Sequence, residues 1–382
     1  MQETIRVPVA LDDPISNRLL IVIQIVLAVL IGLGFIAIGV GGGSWILGGI
    51  ASGALVFYLY RAFYNNQAEP NRNFRKIGQM LVGLTVGFAI AHSNLTALSL
   101  QLPTFILLAL FLLSSGGAIG YVYSQLERTD LLTGLLCTVP GNIGVMASIA
   151  ADYGKKASLV SLVQLIRFTT VTLVIPLMAH VTTQHNVGDV VSALVHDVSI
   201  FNSTYLLLLA LVLAIAALAV QLGSRIKLPV AAFFGSIIVG ILFNLSLDSL
   251  HILPSASFNL PSFLNVIGQV LLGITIGEYW GMNPHLKRRS LAYTIVPVVL
   301  TCLAGFISAG LAMLLTDWDW LTCLLVTAPG GSPEMILIAL TLNHDVEIVT
   351  AGHLIRLIAI NLALPLVISL ACKFERQAQS TI

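Results

Sequence analysis

The sequence predicts an all-α polytopic membrane protein: two inverted repeats of five transmembrane helices, each with a re-entrant or broken Pro-Gly helix, as in secondary transporters. Three observations lead there. Of the 382 residues, 57% are hydrophobic and 9% charged, against roughly 25% charged in soluble domains, and mean hydropathy is +0.96. Apolar runs long enough to cross ~30 Å of hydrocarbon recur along the chain. One passage occurs twice. Thr138-Val-Pro-Gly-Asn-Ile-Gly-Val-Met146 leads to Leu165-Ile-Arg167 and Pro176-Leu177; 189 residues on, Thr327-Ala-Pro-Gly-Gly-Ser-Pro-Glu-Met335 leads to Leu354-Ile-Arg356 and Pro365-Leu366 without a gap.

Taken in order, the first 18 residues are mostly polar and carry Asp12, Asp13 and Pro14 before an apolar run from Leu19. That run is too long and its flank too acidic for a secretory signal peptide, so it reads as a first span. Apolar segments follow near 45–61, 75–92, 100–123, 130–152, 157–183, 202–222, 228–247, 263–282, 290–316, 319–342 and 346–372, giving six per half. The duplication reaches upstream. Ile77-Gly-Gln79-Met-Leu-Val-Gly83-Leu-Thr85-Val-Gly87 matches Ile267-Gly-Gln269-Val-Leu-Leu-Gly273-Ile-Thr275-Ile-Gly277 at an offset of 190, and Gly48 and Gly53 find Gly235 and Gly240 at 187.

Charge sets the topology. Basic residues cluster at Arg6 and Arg18, from Arg61 to Lys76, at Arg128, at Arg225 and Lys227, at Lys287-Arg-Arg289, and at Lys373 and Arg376; the connections 93–103, 184–201, 248–262 and 316–320 have no lysine or arginine. If all twelve segments cross, Arg128 and Arg225 fall on opposite sides. If 130–152 and 319–342 dip in and return at their Pro-Gly breaks, every basic cluster falls on one side and every basic-free connection on the other. Ten crossings result, five per half, and an odd number inverts the second copy. The predicted organisation is an N-terminal repeat 1–183, an extracytoplasmic linker 184–201 with Asp189, His196 and Asp197, an inverted repeat 202–372 and a cytoplasmic tail 373–382. Both termini are then cytoplasmic. The alternative keeps 130–152 and 319–342 as crossing helices unwound at the Pro-Gly.

The breaks carry the chemistry. Pro140-Gly141 with Asn142, and Pro329-Gly330 with Gly331 and Ser332, interrupt helices and leave backbone N–H groups unpaired at a positive helix end. Two such ends meeting at the midplane suit an anionic group; the competing reading is a kinked packing helix. Arg167 lies mid-bilayer, about 16 Å beyond Lys156 at ~1.5 Å per residue, and Arg356 holds the equivalent place. An arginine there costs ~2.5–3.5 kcal/mol on insertion scales, so each must face protein or water. Each either holds a substrate anion or ties the carbonyls of the broken element. Gln164 and His353 lie one turn earlier on the same faces. Glu334 occurs in the second copy only. It either carries a coupled proton, ligates a cation, or pairs with Arg356. Glu278 reads as an interfacial carboxylate, and Gln79 and Gln269 as interhelical glue. Cys137, Cys302, Cys323 and Cys372 show no CxxC spacing, and the eight histidines form no HxxxH pair, so no metal site, cofactor or catalytic residue is expected. A net charge of +1 gives no case for nucleic acid.

The Pro-Gly-Gly-Ser-Pro-Glu-Met335 run with His353-Leu-Ile-Arg356 resembles the AbrB-like, or AbrB duplication, family of bacterial membrane proteins, sometimes labelled ammonia monooxygenases. The first-half version lacks the acid. The resemblance implies an inner-membrane protein with an internal duplication, akin to inverted-repeat transporters. The expected function is secondary active transport of a small anionic solute by alternating access, coupled to a proton or sodium gradient and not enzymatic. Its partners are the solute, the lipid bilayer, H+ or Na+, and a homodimer mate as an open option. The alternatives are a non-transporting membrane sensor or regulator of gene expression and, more remotely, a membrane monooxygenase.

Overall fold

The computed structural model describes residues 17–38, 43–64, 70–93, 95–141, 143–179, 188, 192, 202–226, 230–250, 258–281, 288–342 and 344–380. The linker 184–201, apart from positions 188 and 192, lies outside them with Asp189, His196 and Asp197, as do Asn142, Lys227 and Lys287. The described secondary structure is helical. In the first half run α1 (Asn17–Ala37), α2 (Ser44–Tyr64), α3 (Arg72–Ala89), α4 (Leu95–Leu100), α5 (Leu102–Leu126), α6 (Leu131–Thr138), α7 (Ile143–Asp152) and α8 (Ala157–Ala179). In the second run α9 (Ser203–Arg225), α10 (Ala231–Ser249), α11 (Ser262–Gly281), α12 (Arg288–Leu315), α13 (Trp320–Thr327), α14 (Ser332–Thr341) and α15 (Val346–Ser380). Among the described residues nine helices are long and apolar enough to cross a bilayer: α1, α2, α5, α8, α9, α10, α11, α12 and α15. The charge count had asked for ten. The missing one is α3, whose apolar stretch begins only after Arg72, Arg75 and Lys76. The final residues from Lys373 continue α15 to Ser380.

The chain forms two compact units, and each draws on both halves of the sequence. The first comprises 1–85, 184–239 and 258–283; the second comprises 86–183, 240–257 and 284–382.

In the first unit glycine sets how closely helices approach, as expected where apolar burial alone cannot drive helix association. A Cβ on Gly273 would lie 2.2 Å from the Ile46 carbonyl oxygen, and one on Gly277 the same distance from that of Ile50. From the other side, a Cβ on Gly53 would lie 2.3 Å from the Ile274 oxygen. The backbones of α2 and α11 therefore touch. The pattern recurs where α3 meets α10: a Cβ on Gly83 would lie 2.5 Å from the Phe233 oxygen and 3.0 Å from Ser236 Cβ. Gly83 and Gly273 are counterparts at 190, and Gly49 and Ser236 at 187, so one crossing repeats the other with the halves exchanged. Gly78 faces its own counterpart, Gly268, whose oxygen would lie 2.9 Å from a Cβ there. Gly277→Val should cost about 1–3 kcal/mol or more, since only backbone can yield. A thermal melt of the purified variant, compared with Gly310→Val, where nothing lies within 4 Å, checks this.

In the second unit the same exchange appears between whole helices. α5 packs on α6 and α12 on α13; α5 packs on α15 and α12 on α8; α5 also packs on α12, its own counterpart. The core between them holds Tyr123, Leu132, Leu136, Met146, Leu159 and Val163 with Val298 and Ile360. Pro297 and Pro365 lie inside α12 and α15, each removing one ladder hydrogen bond.

Candidate functional site

Every residue singled out at the breaks belongs to the second unit. The first break follows from proline chemistry. Proline has no N–H to continue a helix and pushes the preceding residue out of the helical region. Val139 accordingly sits at φ −60°, ψ 124°, and α6 ends at Thr138. Ala328, before Pro329, sits at φ −52°, ψ 128°, and α13 ends at Thr327. The threonine before each break reaches across to a glycine carbonyl. Thr138 Oγ1 donates to the Gly116 oxygen at 2.7 Å and Thr327 Oγ1 to that of Gly305 at 3.1 Å.

The arginines serve the negative ends of the broken helices. A helix leaves its last carbonyls without partners, and a cation is favourable there. Arg167 on α8 donates from Nη1 to the Thr138 oxygen at 3.1 Å and from Nη2 to Gln164 Oε1 at 2.5 Å. Gln164 Nε2 in turn donates to the oxygens of Leu136 and Val139 at 2.7 and 3.0 Å. At the second break Arg356 on α15 donates from Nη1 to the Ala328 oxygen at 2.6 Å, and from Nη2 to the Gly330 oxygen at 3.5 Å and to His353 Nδ1 at 2.7 Å. His353 Nε2 bonds the Leu325 oxygen at 2.9 Å. A carbonyl only accepts, so Nε2 carries the hydrogen and Nδ1 is the acceptor that Arg356 needs. Glutamine in one half and histidine in the other thus do one job: each accepts from its arginine and donates to the carbonyl of Leu136 or its counterpart Leu325. All four side chains are buried, and the two guanidiniums lie within electrostatic reach of each other.

What remains at the breaks differs between the copies. Arg167 keeps Nε–H buried without a hydrogen-bond partner among the described residues. Ser332 Oγ lies 3.2 Å from His353 Nδ1. Glu334 is buried in the first turn of α14, where a carboxylate complements the helix end, and a Cβ on Gly331 would run into it and into Phe168. A Cβ on Gly330 would lie 3.0 Å from Val171, so α8 lines the second break while its arginine serves the first. Arg356 makes no ion pair with Glu334 among the described residues; its bonds go to Ala328, Gly330 and His353. Asn142 lies outside the described residues.

The open ends of the broken elements hold residues that the sequence reading had passed over. Asp130 caps α6 through the Thr133 amide and hydroxyl, both at 2.8 Å, and Asp319 caps α13 through the Thr322 amide at 3.1 Å. Lys155, just after α7, lies 3.3 Å from Asp130; His344, just after α14, lies 3.2 Å from Asp319. In both copies the chain therefore returns at its second helix to where the first began. Lys155 also meets Glu375 of α15 at 2.7 Å, and Glu375 accepts from the Leu132 amide at 2.9 Å. The repeat offset of 189 relates Asp130 to Asp319, Thr133 to Thr322 and Lys155 to His344, and extending it outward from Thr138 finds all three pairs.

Burial raises the Asp130 carboxyl, but the Thr133 amide and hydroxyl and Lys155 outweigh it and hold it below the usual value. Burial lowers the Lys155 ammonium, and Glu375 and Asp130 outweigh that and raise it. The lowered carboxyl stabilises the fold above its unfolded value near ~4 and stops doing so as pH falls through its folded value. The raised ammonium stabilises below its unfolded value near ~10.4 and stops doing so as pH rises through its folded value. Lys155→Met should thus lose about 1 kcal/mol in a plateau between these limits, the difference from wild type shrinking at both extremes. Melting curves across pH check this, and a difference that grew toward acid would contradict it.

In the first unit Glu278 lies three residues before the end of α11 and is buried. It is 3% exposed and accepts from Gln24 Nε2 at 3.1 Å and from the Asn71 amide at 2.7 Å. Gln79 and Gln269 are buried; Gln269 makes one long bond, to Asn265 Oδ1 at 3.5 Å.

Helices of membrane-crossing length, with buried charge gathered at a duplicated pair of broken helices, define a polytopic membrane protein with an internal repeat. The family model described as "Transition state regulatory protein AbrB" matches residues 45–371, and the chain belongs to that family. It is 28% identical over 354 residues to "Uncharacterized protein YhjN" of Bacillus subtilis (strain 168), covering 87% of this chain and 91% of that one. It is 25% identical over 345 residues to "Putative regulator AbrB" of Escherichia coli (strain K12), covering 89% and 93%.

Proposed function

We propose that the protein is a secondary active transporter of a small anionic solute, driven by a proton or sodium gradient, with the solute bound at the two broken helices. One observation carries this reading: two buried arginines sit at duplicated helix breaks, and one of them retains a donor, Arg167 Nε–H, that has no acceptor among the described residues. A charged donor without an acceptor in a buried place is costly, and an entering carboxylate or phosphate oxygen removes that cost. The positive ends of α7 and α14 add to the attraction. In this reading the two broken elements are re-entrant and enter the membrane from opposite faces, and their repeats are inverted. The exchange of contacts between halves supports that arrangement.

Glu334 and Ser332 give the second break a different character. An anion binds more readily beside Pro140-Gly141, which has no acid, and Glu334 is then placed to carry the coupled proton. A second reading, a membrane sensor that binds the solute without moving it, is favoured by the word "regulator" in the name of the Escherichia coli relative.

A stability screen over carboxylates, phosphates and amines identifies a ligand, since binding raises apparent stability. Uptake of that ligand into proteoliposomes under an imposed gradient then separates the readings. Transport predicts uptake that Glu334→Gln uncouples from the proton gradient. A ligand that stabilises the protein and is never taken up leaves the sensor.

A further inference from the structure

The first unit contains a second buried carboxylate that the transport reading does not use. Glu278 lies near the end of α11, 3% exposed, and Gln24 on α1 is 0% exposed. The Gln24 amide spends its nitrogen on Glu278 Oε1 at 3.1 Å, and its own oxygen is buried with no hydrogen-bond partner. Ser52 Oγ holds the Gln24 backbone by donating to its carbonyl at 2.6 Å, which fixes the helix position while leaving the amide free to turn. The second carboxylate oxygen accepts from the Asn71 amide at 2.7 Å. The charged and titratable groups on the elements packed around this point are Arg18 on α1, Tyr58, Tyr60, Arg61 and Tyr64 on α2, Arg72, Arg75 and Lys76 at the start of α3, and Tyr279 beside it on α11. Among the described residues none forms an ion pair with Glu278, whose bonds are those to Gln24 and Asn71. At an offset of 190 the counterpart of Glu278 is Phe88, so the fold of the repeat does not require an acid here.

We propose that Glu278 and Gln24 form a proton-binding site. The carboxylate takes a proton from water at the nearby end of α11. The Gln24 amide then turns over, and its oxygen accepts the new carboxyl O–H. No electrons move, and the only bond formed is O–H. Both protonation states are served by one side chain: the amide nitrogen answers the carboxylate and the amide oxygen answers the acid. The turnover gives a partner to the buried oxygen that the ionised state leaves idle and withdraws the amide nitrogen from Glu278. A buried ionisable group in a membrane protein that has, among the described residues, no ion-pair partner is a setting suited to a proton relay. This site is independent of the hairpin breaks and holds whether the protein transports or senses.

The test uses the full chain in lipid nanodiscs and infrared difference spectra between about pH 9 and about pH 5, a range spanned by buried carboxyls. A protonated-carboxyl C=O band should grow as pH falls, and Glu278→Gln should remove one carboxyl's worth of it. Gln24→Leu should keep the intensity but move the band to higher frequency, because the acid has lost its acceptor. Equal bands in wild type and Glu278→Gln would overturn the proposal. So would a Gln24→Leu band at the wild-type position, which also decides the matter should Glu278→Gln fail to fold.

Discussion

Arg356→Ala is expected to destabilise the protein by about 3–5 kcal/mol, from two carbonyls orphaned at roughly 1–2 kcal/mol each and the loss of a charge-assisted bond to His353. The carbonyls of Ala328 and Gly330 and the imidazole Nδ1 of His353 all draw on its fork, and among the described residues only Nδ1 of the three has a second neighbour to accept from, Ser332 Oγ at 3.2 Å. Arg356→Lys should recover only part, since one ammonium cannot span two carbonyls and a ring nitrogen in the fork geometry. Arg167→Ala should lose less, because Gln164 goes on holding Leu136 and Val139 by itself. Thermal or denaturant unfolding of the purified variants gives the ranking. If Arg356→Ala melts with wild type, the guanidinium is not what holds the second break.

The next largest effect concerns His353. His353→Leu should cost about 2–4 kcal/mol: it strands the Leu325 carbonyl and an Arg356 N–H in a buried place. His353→Gln should stay within about 1 kcal/mol of wild type, because the first copy already solves the problem with glutamine. The reciprocal change, Gln164→His, should be tolerated on the same ground. Comparing the two variants separates a donor–acceptor requirement from any role of imidazole as a base. If His353→Gln unfolds as readily as His353→Leu, the equivalence of the two residues fails.

The fold was largely open to reading from composition and repeats. Apolar runs located the long helices, since length and hydropathy are properties of single segments. The Pro-Gly breaks were legible because proline acts on its own neighbour. That the arginines tie carbonyls of the broken elements was legible as one of the readings weighed; which carbonyls was not, because every residue has one and no sequence marks it. The capping pairs Asp130–Lys155 and Asp319–His344 could have been found by carrying the 189-residue offset a few positions outward; lysine and histidine at the same place hid the likeness. The burial of Glu278 was not legible, because nearness to a basic loop says nothing about which way a side chain turns, and its partners Gln24 and Asn71 are more than 200 residues away. The division into two units, each using both halves, had no local signal at all.

The meeting of Gly78 with Gly268 has a consequence for descent. If the two copies once stood as separate chains that paired as the halves do now, a single glycine had to fit against itself, and any enlargement there struck twice. Fusion uncoupled the two positions: one side can now grow provided the other stays small. Homologous chains should therefore accept a methyl group at one of these positions while keeping glycine at the other.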